Sequence, residues 1–192
     1  MDRIAIFASG TGTNARKIIE YFEEHEDVEV ALVVSNKVSA PVLSMAKEFG
    51  IECLVISRMQ FYETKEVLHV LSEQEITFIV LAGFLWLIPP YLIANFPNRI
   101  VNIHPALLPA FGGRGMYGMN VHRAVKTAGV NKTGITIHYV NERYDEGAVV
   151  FQASCPVQAS DSPESIAKRV QKLEHEYFPS VIENLLLGNE RK

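Results

Sequence analysis

Arg3-Ile4-Ala5-Ile6-Phe7-Ala8-Ser9-Gly10-Thr11-Gly12-Thr13-Asn14-Ala15 is the stretch on which the fold turns. Its opening run is apolar and rich in β-formers, as expected of a strand covered on both faces. Two glycines follow, and glycine permits a tight turn and a close approach of backbone to ligand. From Asn14 to Glu24 the spacing changes, with Ala15, Ile18, Ile19 and Phe22 on one face of a helix. Strand, glycine turn and amphipathic helix together begin a βαβ unit.

Working outward, the alternation continues. Strands are expected at Val28 to Val34, Glu52 to Ile56, Thr77 to Ala82 and Ile100 to Ile103. Helices are expected at Pro41 to Phe49, Phe61 to Gln74 and Pro90 to Asn95. The fully apolar Thr77 to Ala82 belongs at the centre of the sheet. Further on the order changes: Gly134 to Val140 and Ala148 to Val157 are joined by a short polar loop and should pair antiparallel. Pro163 to Leu187 closes with a helix that Asp161 or Ser162 can cap. The expected fold class is α/β: a mostly parallel twisted sheet with helices on both faces, Rossmann-like in its N-terminal half, with an antiparallel C-terminal strand pair. No repeat, low-complexity tract or linker interrupts it, so residues 1–192 are expected to form a single domain.

A formal net charge of -4 offers no basic field for nucleic acid, so a small anion must be held by local geometry. The opening MDRIAIFASG lacks the apolar length of a signal peptide. The apolar stretch from Phe78 to Ile88 is broken by Gly83 and ended by Pro89 and Pro90, so no membrane span is expected. Cys53 and Cys155 lack CxxC spacing, and two buried thiols in a reducing cytosol are expected in place of a disulfide. No histidine pair has metal-site spacing, so no metal is expected.

Ser9 to Asn14 sits where strand-end N–H groups and a helix dipole favour an anion. Gly10, Gly12 and Ala15 satisfy the G-x-G-x-x-A dinucleotide pattern, a weak signal alone. A dinucleotide site wants an acidic residue about twenty positions on, and that place reads Ser35-Asn36-Lys37. The hydroxyl and amide side chains of the turn suit a terminal phosphate. Taken by itself, the turn is explained equally well without any ligand.

Ile100-Val101-Asn102-Ile103-His104-Pro105 puts an amide and an imidazole at the carboxyl end of a strand, where open α/β sheets bind ligands. Alternation sends Asn102 and His104 to the same side. Asp145 lies in the loop Asn141 to Gly147. Beside His104 it is expected to raise the imidazole pKa and keep it cationic, so that His104 and Asn102 steady an oxyanion. Each residue alone is explained as well by satisfied strand ends and a capped turn; the three together favour a site.

The sequence resembles the glycinamide ribonucleotide formyltransferases, folate-dependent enzymes of purine synthesis. The resemblance is carried by Ser9 to Asn14, Ser35-Asn36-Lys37, Leu81-Ala82-Gly83-Phe84, Asn102-Ile103-His104-Pro105-Ala106-Leu107-Leu108-Pro109, Asp145-Glu146-Gly147 and Glu174-His175. It implies transfer of the formyl group of 10-formyltetrahydrofolate to the amine of glycinamide ribonucleotide, in a monomer or homodimer. It implies that Gly12, Thr13 and Asn14 hold the ribose phosphate, that Glu174 contacts the glycinamide end, and that Asn102, His104 and Asp145 are catalytic. It implies folate contacts at Leu85, Trp86, Leu87, Ile88, Asn102, Val140 and Asn141. Residues 1–100 then form a phosphate-binding half and residues 101–192 a catalytic and folate-binding half.

The sequence departs from the family at Trp86, where members often carry a basic residue. Arg58 is the candidate for the family's basic folate contact after the third strand. Phe111 to Gly118 is longer than usual and glycine-rich, readable as a lid or as a passive loop. His122, in the first turn of a helix, and His138, near the Asp145 loop, are candidates to line the site; His25 and His69 read as exposed helix residues, and His175 as packing or capping. Pro105, in place of a second histidine, argues against a formyl-folate hydrolase. The acidic chain argues against the initiator-tRNA formyltransferases, and the catalytic trio against a binding module without chemistry.

Overall fold

Strand β1 (Asp2–Phe7) leads through the glycine turn into helix α1 (Thr13–Phe22). The computed structural model describes residues 1–188, so residues 189–192 of the expected domain lie outside the described residues. The chain continues through β2 (Val28–Ser35), α2 (Pro41–Glu48), β3 (Glu52–Val55), α3 (Arg58–Tyr62), α4 (Glu66–Glu73), β4 (Phe78–Leu81) and α5 (Pro90–Asn95). It ends with β5 (Ile100–His104), α6 (Met119–Ala128), β6 (Lys132–Tyr139), β7 (Val149–Pro156) and α7 (Pro163–Leu187).

The strands form one seven-stranded sheet in the order β3-β2-β1-β4-β5-β6-β7. The first five strands pair in parallel, while β5–β6 and β6–β7 are antiparallel. Strand alternation explains the two apolar cores. Ile4, Ile6 and Val80 point to one face, under α1, α2, α6 and α7. Ala5, Phe7 and Ile79 point to the other, under α3, α4 and α5. Among the described residues, no helix is long and apolar enough to cross a membrane. Both cysteines are free thiols, Cys155 buried and Cys53 only half-buried.

Two local expectations are corrected. The helix read over residues 61–74 is two helices, because Ser57 and Gln60 form a capping box that starts α3 early. Lys65, with φ 59°, then breaks the chain before α4. His25 lies beyond the end of α1 and is half-buried against Phe22 and Glu183. At α7 the cap is Ser162, whose hydroxyl accepts from the Ser165 N–H at 3.2 Å. Asp161 turns instead onto the Arg169 guanidinium, at 2.8 and 2.9 Å.

The strand order sets the location of the site. From β1 the chain runs outward to β2 and β3, then crosses back to place β4 on the other side of β1. Connections therefore diverge above the carboxyl ends of β1 and β4, leaving a crevice there. The antiparallel end of the sheet depends on a close approach: a Cβ built on Gly134 of β6 would meet the Ala153 carbonyl and lie 2.8 Å from the Ser154 Cα of β7. Gly134→Ala should therefore destabilise the fold by about 1–3 kcal/mol, read as a lower denaturant midpoint; an unchanged midpoint contradicts this packing.

Candidate active site

The turn after β1 is braced from three sides. The Ser9 N–H donates to the Gly83 carbonyl at 3.1 Å, and the Ser9 hydroxyl accepts from the Leu85 N–H at 3.0 Å. The Gly10 carbonyl accepts from Val42 of α2 at 3.2 Å. Gly12 adopts φ 75° with Val42 Cβ only 2.7 Å from where its own Cβ would stand, so no larger residue fits. The backbone N–H groups of Gly10 to Asn14 have no acceptor among the described residues. They open α1, an arrangement suited to an anion. The last helix closes over them: Gln171 donates to the Thr13 hydroxyl at 3.3 Å, and Asn14 donates to the Glu174 carboxyl at 3.0 Å.

Strand β5 carries Asn102 and His104 to the same crevice, and its antiparallel pairing sets Asn102 directly opposite His138. Hydrogen bonds fix the imidazoles. His104 Nε2 lies 2.8 Å from the Phe111 carbonyl, which can only accept, so Nε2 carries hydrogen and Nδ1 faces Asp145 at 3.5 Å. His138 Nδ1 donates to the Tyr139 carbonyl at 2.8 Å, and its Nε2 lies 3.1 Å from the Asn102 amide nitrogen. Asp145 also lies 3.7 Å from His138 Nε2 and accepts from the Gly113 N–H at 2.9 Å. Phe111 and Gly113 of loop 111–118 are thus bonded directly to His104 and Asp145.

The expected charge on His104 is corrected. Burial pushes its pKa down, and this outweighs the upward pull of the Asp145 carboxylate and the Phe111 carbonyl. The imidazole is therefore neutral at rest near neutral pH. Burial pushes the Asp145 carboxyl up, but His138, His104 and the Gly113 N–H together hold it below the ordinary carboxylate range. Glu174 is raised by burial against the lowering effect of the Asn14 amide. His122 is lowered by burial and by its neighbour His104, and its buried Nδ1 has no partner among the described residues.

One cavity of about 840 Å³ takes in the glycine turn, Asn102, His104, Asp145 and Glu174. Its volume falls within the range of about 300–1,000 Å³ typical of small-molecule sites. Of the expected folate contacts, Leu85, Trp86, Leu87, Ile88, Val140 and Asn141 all line it. Ile88 is only 2% exposed and belongs mainly to the core beneath α5. Arg58 is not part of the cavity wall; its guanidinium stacks 5.0 Å from the Trp86 ring centre and 6.0 Å from Tyr62. Trp86 is half-buried beside Phe61 and Phe84.

Sequence reasoning missed Gln171, Lys37 and Lys168, which also line the cavity. Gln171 could have been found from its helical spacing, three residues before Glu174. His122 and His138, named only as candidates, both line the cavity. Among the described residues, no group of three His, Cys, Asp or Glu is placed to hold a metal.

Similarity to known proteins agrees with this geometry. A phosphoribosylglycinamide formyltransferase of Bacillus subtilis is 38% identical over all of this chain and 98% of its own length. A chloroplastic phosphoribosylglycinamide formyltransferase of Arabidopsis thaliana is 42% identical over 94% of this chain; the match spans 64% of the plant protein, less than two thirds of its length. The crystal structure of glycinamide ribonucleotide transformylase 1 from Symbiobacterium toebii superposes with a TM-score of 0.89, at 32% identity, over 98% of this chain and 89% of that one. The formyl transferase family profile matches residues 2–182, spanning both the glycine turn and the helix that closes over it, and the chain belongs to that family.

Proposed function

We propose that the protein transfers the formyl group of 10-formyltetrahydrofolate to the amine of glycinamide ribonucleotide, giving formylglycinamide ribonucleotide and tetrahydrofolate in purine (IMP) synthesis. The observation that carries this reading is the meeting of Asn102, His104 and Asp145 in one cavity with an anion-suited turn. The N–H groups of Gly12, Thr13 and Asn14 take the ribose phosphate, and Glu174 takes polar groups at the glycinamide end. The folate lies against Leu85, Trp86, Leu87, Ile88, Val140 and Asn141, near Asn102. Arg58, stacked on Trp86, reaches only the outer end of the folate. Residues 1–100 supply the phosphate site and residues 101–192 most of the chemistry, although the folate wall at residues 85–88 lies in the first part.

The reaction joins the substrate nitrogen to the formyl carbon, and the carbonyl electrons move onto oxygen. Asn102, whose amide is already oriented by His138, has a second N–H for that oxyanion. His104 is neutral before attack, so it can take up the proton that the attacking nitrogen loses, and the imidazolium then stabilises the developing negative charge. Asp145 faces Nδ1 and stabilises the imidazolium once formed. His104 then gives that proton to the folate nitrogen as the carbon–nitrogen bond to folate breaks, which returns the imidazole to its starting state. The sequence needs no metal, and suits a cytoplasmic monomer or homodimer acting on small molecules.

Mixing the protein with 10-formyltetrahydrofolate and following folate absorbance tests the reading. Turnover only when glycinamide ribonucleotide is present supports transfer; turnover without the amine identifies a hydrolase, and none at all identifies a binder.

His104→Ala or Asp145→Asn should lower turnover at least about a hundredfold, since removing one oxyanion donor costs about 2.7–4 kcal/mol. Thermal unfolding of both variants should remain cooperative; near-normal turnover overturns the assigned roles.

The resting charge makes a separate prediction. In an NMR titration, His104 should protonate below the ordinary histidine value, and lower still in Asp145→Asn, because the substitution removes the largest cause that raises it. A value above the ordinary one in the intact protein refutes the neutral resting state.

A further inference from the structure

We propose that Lys37 and Lys168 bracket the glycine turn and make the site selective for an acceptor carrying a doubly charged phosphate. The inference rests on the formyl-transfer reading above and adds to it the residues that complete the charge balance.

The chain as a whole is acidic, with a formal net charge of -4. Its cavity wall is not: Lys37, Arg114, Arg143 and Lys168 face only two carboxylates, Asp145 and Glu174. Asp145 is occupied by two imidazoles and the Gly113 N–H, and Glu174 by the Asn14 amide. Arg143 is paired with Glu146 at 3.2 Å. The ammonium groups of Lys37 and Lys168 have no ion pair or hydrogen bond among the described residues.

Two different segments next to the turn carry them. Lys37 lies between β2 and α2, where its carbonyl accepts from the Ala40 N–H at 3.1 Å; two residues further on, Val42 bonds to Gly10. Lys168 precedes Gln171 by three residues on α7, roughly 4.5 Å along the helix axis, and Gln171 is bonded to Thr13. Both lysines line the cavity that the turn opens into.

The magnitudes call for such a pair. A phosphate monoester carries about −1.5 to −2 charges at neutral pH, and a helix N-terminus supplies about +0.5, leaving about 1–1.5 uncompensated. Backbone N–H groups solvate the oxygens without supplying that remainder. Two ammonium groups on flexible stems do supply it, and they remain hydrated when the site is empty.

The test compares kcat/KM for glycinamide ribonucleotide with kcat/KM for the same acceptor bearing a free 5′-hydroxyl. In Lys168→Met and in Lys37→Met the ratio should fall about tenfold each, and about a hundredfold in the double variant. Lys168→Arg, which keeps the charge, should hold the ratio within about threefold of the intact protein. If the intact protein formylates glycinamide ribonucleotide and all variants keep its preference, the lysine assignment is overturned and the transfer reading stands. If the intact protein does not formylate it, both fall.

Discussion

A carboxylate taken out of water must be solvated by the protein itself, and the site is organised around doing this for Asp145. Its partners come from three separate segments: His104 at the end of β5, His138 on β6 and Gly113 in the loop that follows β5. Each partner is in turn fixed by another bond. His104 is tied to the Phe111 carbonyl, and His138 to Asn102 and Tyr139. A buried network of this kind has a large penalty for any missing partner, which favours one arrangement over its neighbours. The pairing of Asn102 with His138 is possible because β6 runs antiparallel to β5 with those residues in register. The reversal of strand direction at that edge is therefore what brings Asn102 and His138 face to face.

The parallel half meets a different requirement. An anion-suited turn needs donors that are free without being buried, and the strand crossing between β1 and β4 leaves the start of α1 open to the crevice. Gly12 could not be replaced there without displacing Val42 of α2. One sheet thus sets a turn with free backbone N–H groups on one side and a network of imidazole and carboxylate side chains on the other, both lining one cavity.

Much of this was legible in the residues. Unbroken apolar runs mark β1 and β4 as central, and the short polar loop before Ala148 marks the antiparallel pair, because burial and strand reversal leave direct patterns in composition. Asn102, His104 and Asp145, named from their places at strand ends and in one loop, come together in one cavity. Less visible was anything that depends on a balance of opposing effects. The charge of His104 turns on burial exceeding the attraction of Asp145, and sequence reports the neighbour without the depth. The split between α3 and α4 follows from one capping box at Ser57. Arg58 could be named as a cation but not placed, since its stacking on Trp86 depends on how the residues after β4 lie against α3. Lys168 lies in no motif, and Ser35-Asn36-Lys37 does not by itself point Lys37 at a ligand; only the fold brings the two to one cavity.

That closure has a bearing on how the molecule comes into being. The bonds from Asn14 to Glu174 and from Gln171 to Thr13 span 160 and 158 residues of chain. Contacts so distant in sequence form late, because the loss of chain freedom precedes their reward. During synthesis the glycine turn leaves the ribosome long before α7 exists to cover it. Until α7 docks, a nascent chain holds the turn with its donors open to water and no finished cleft. The cleft is then complete only once α7 has docked.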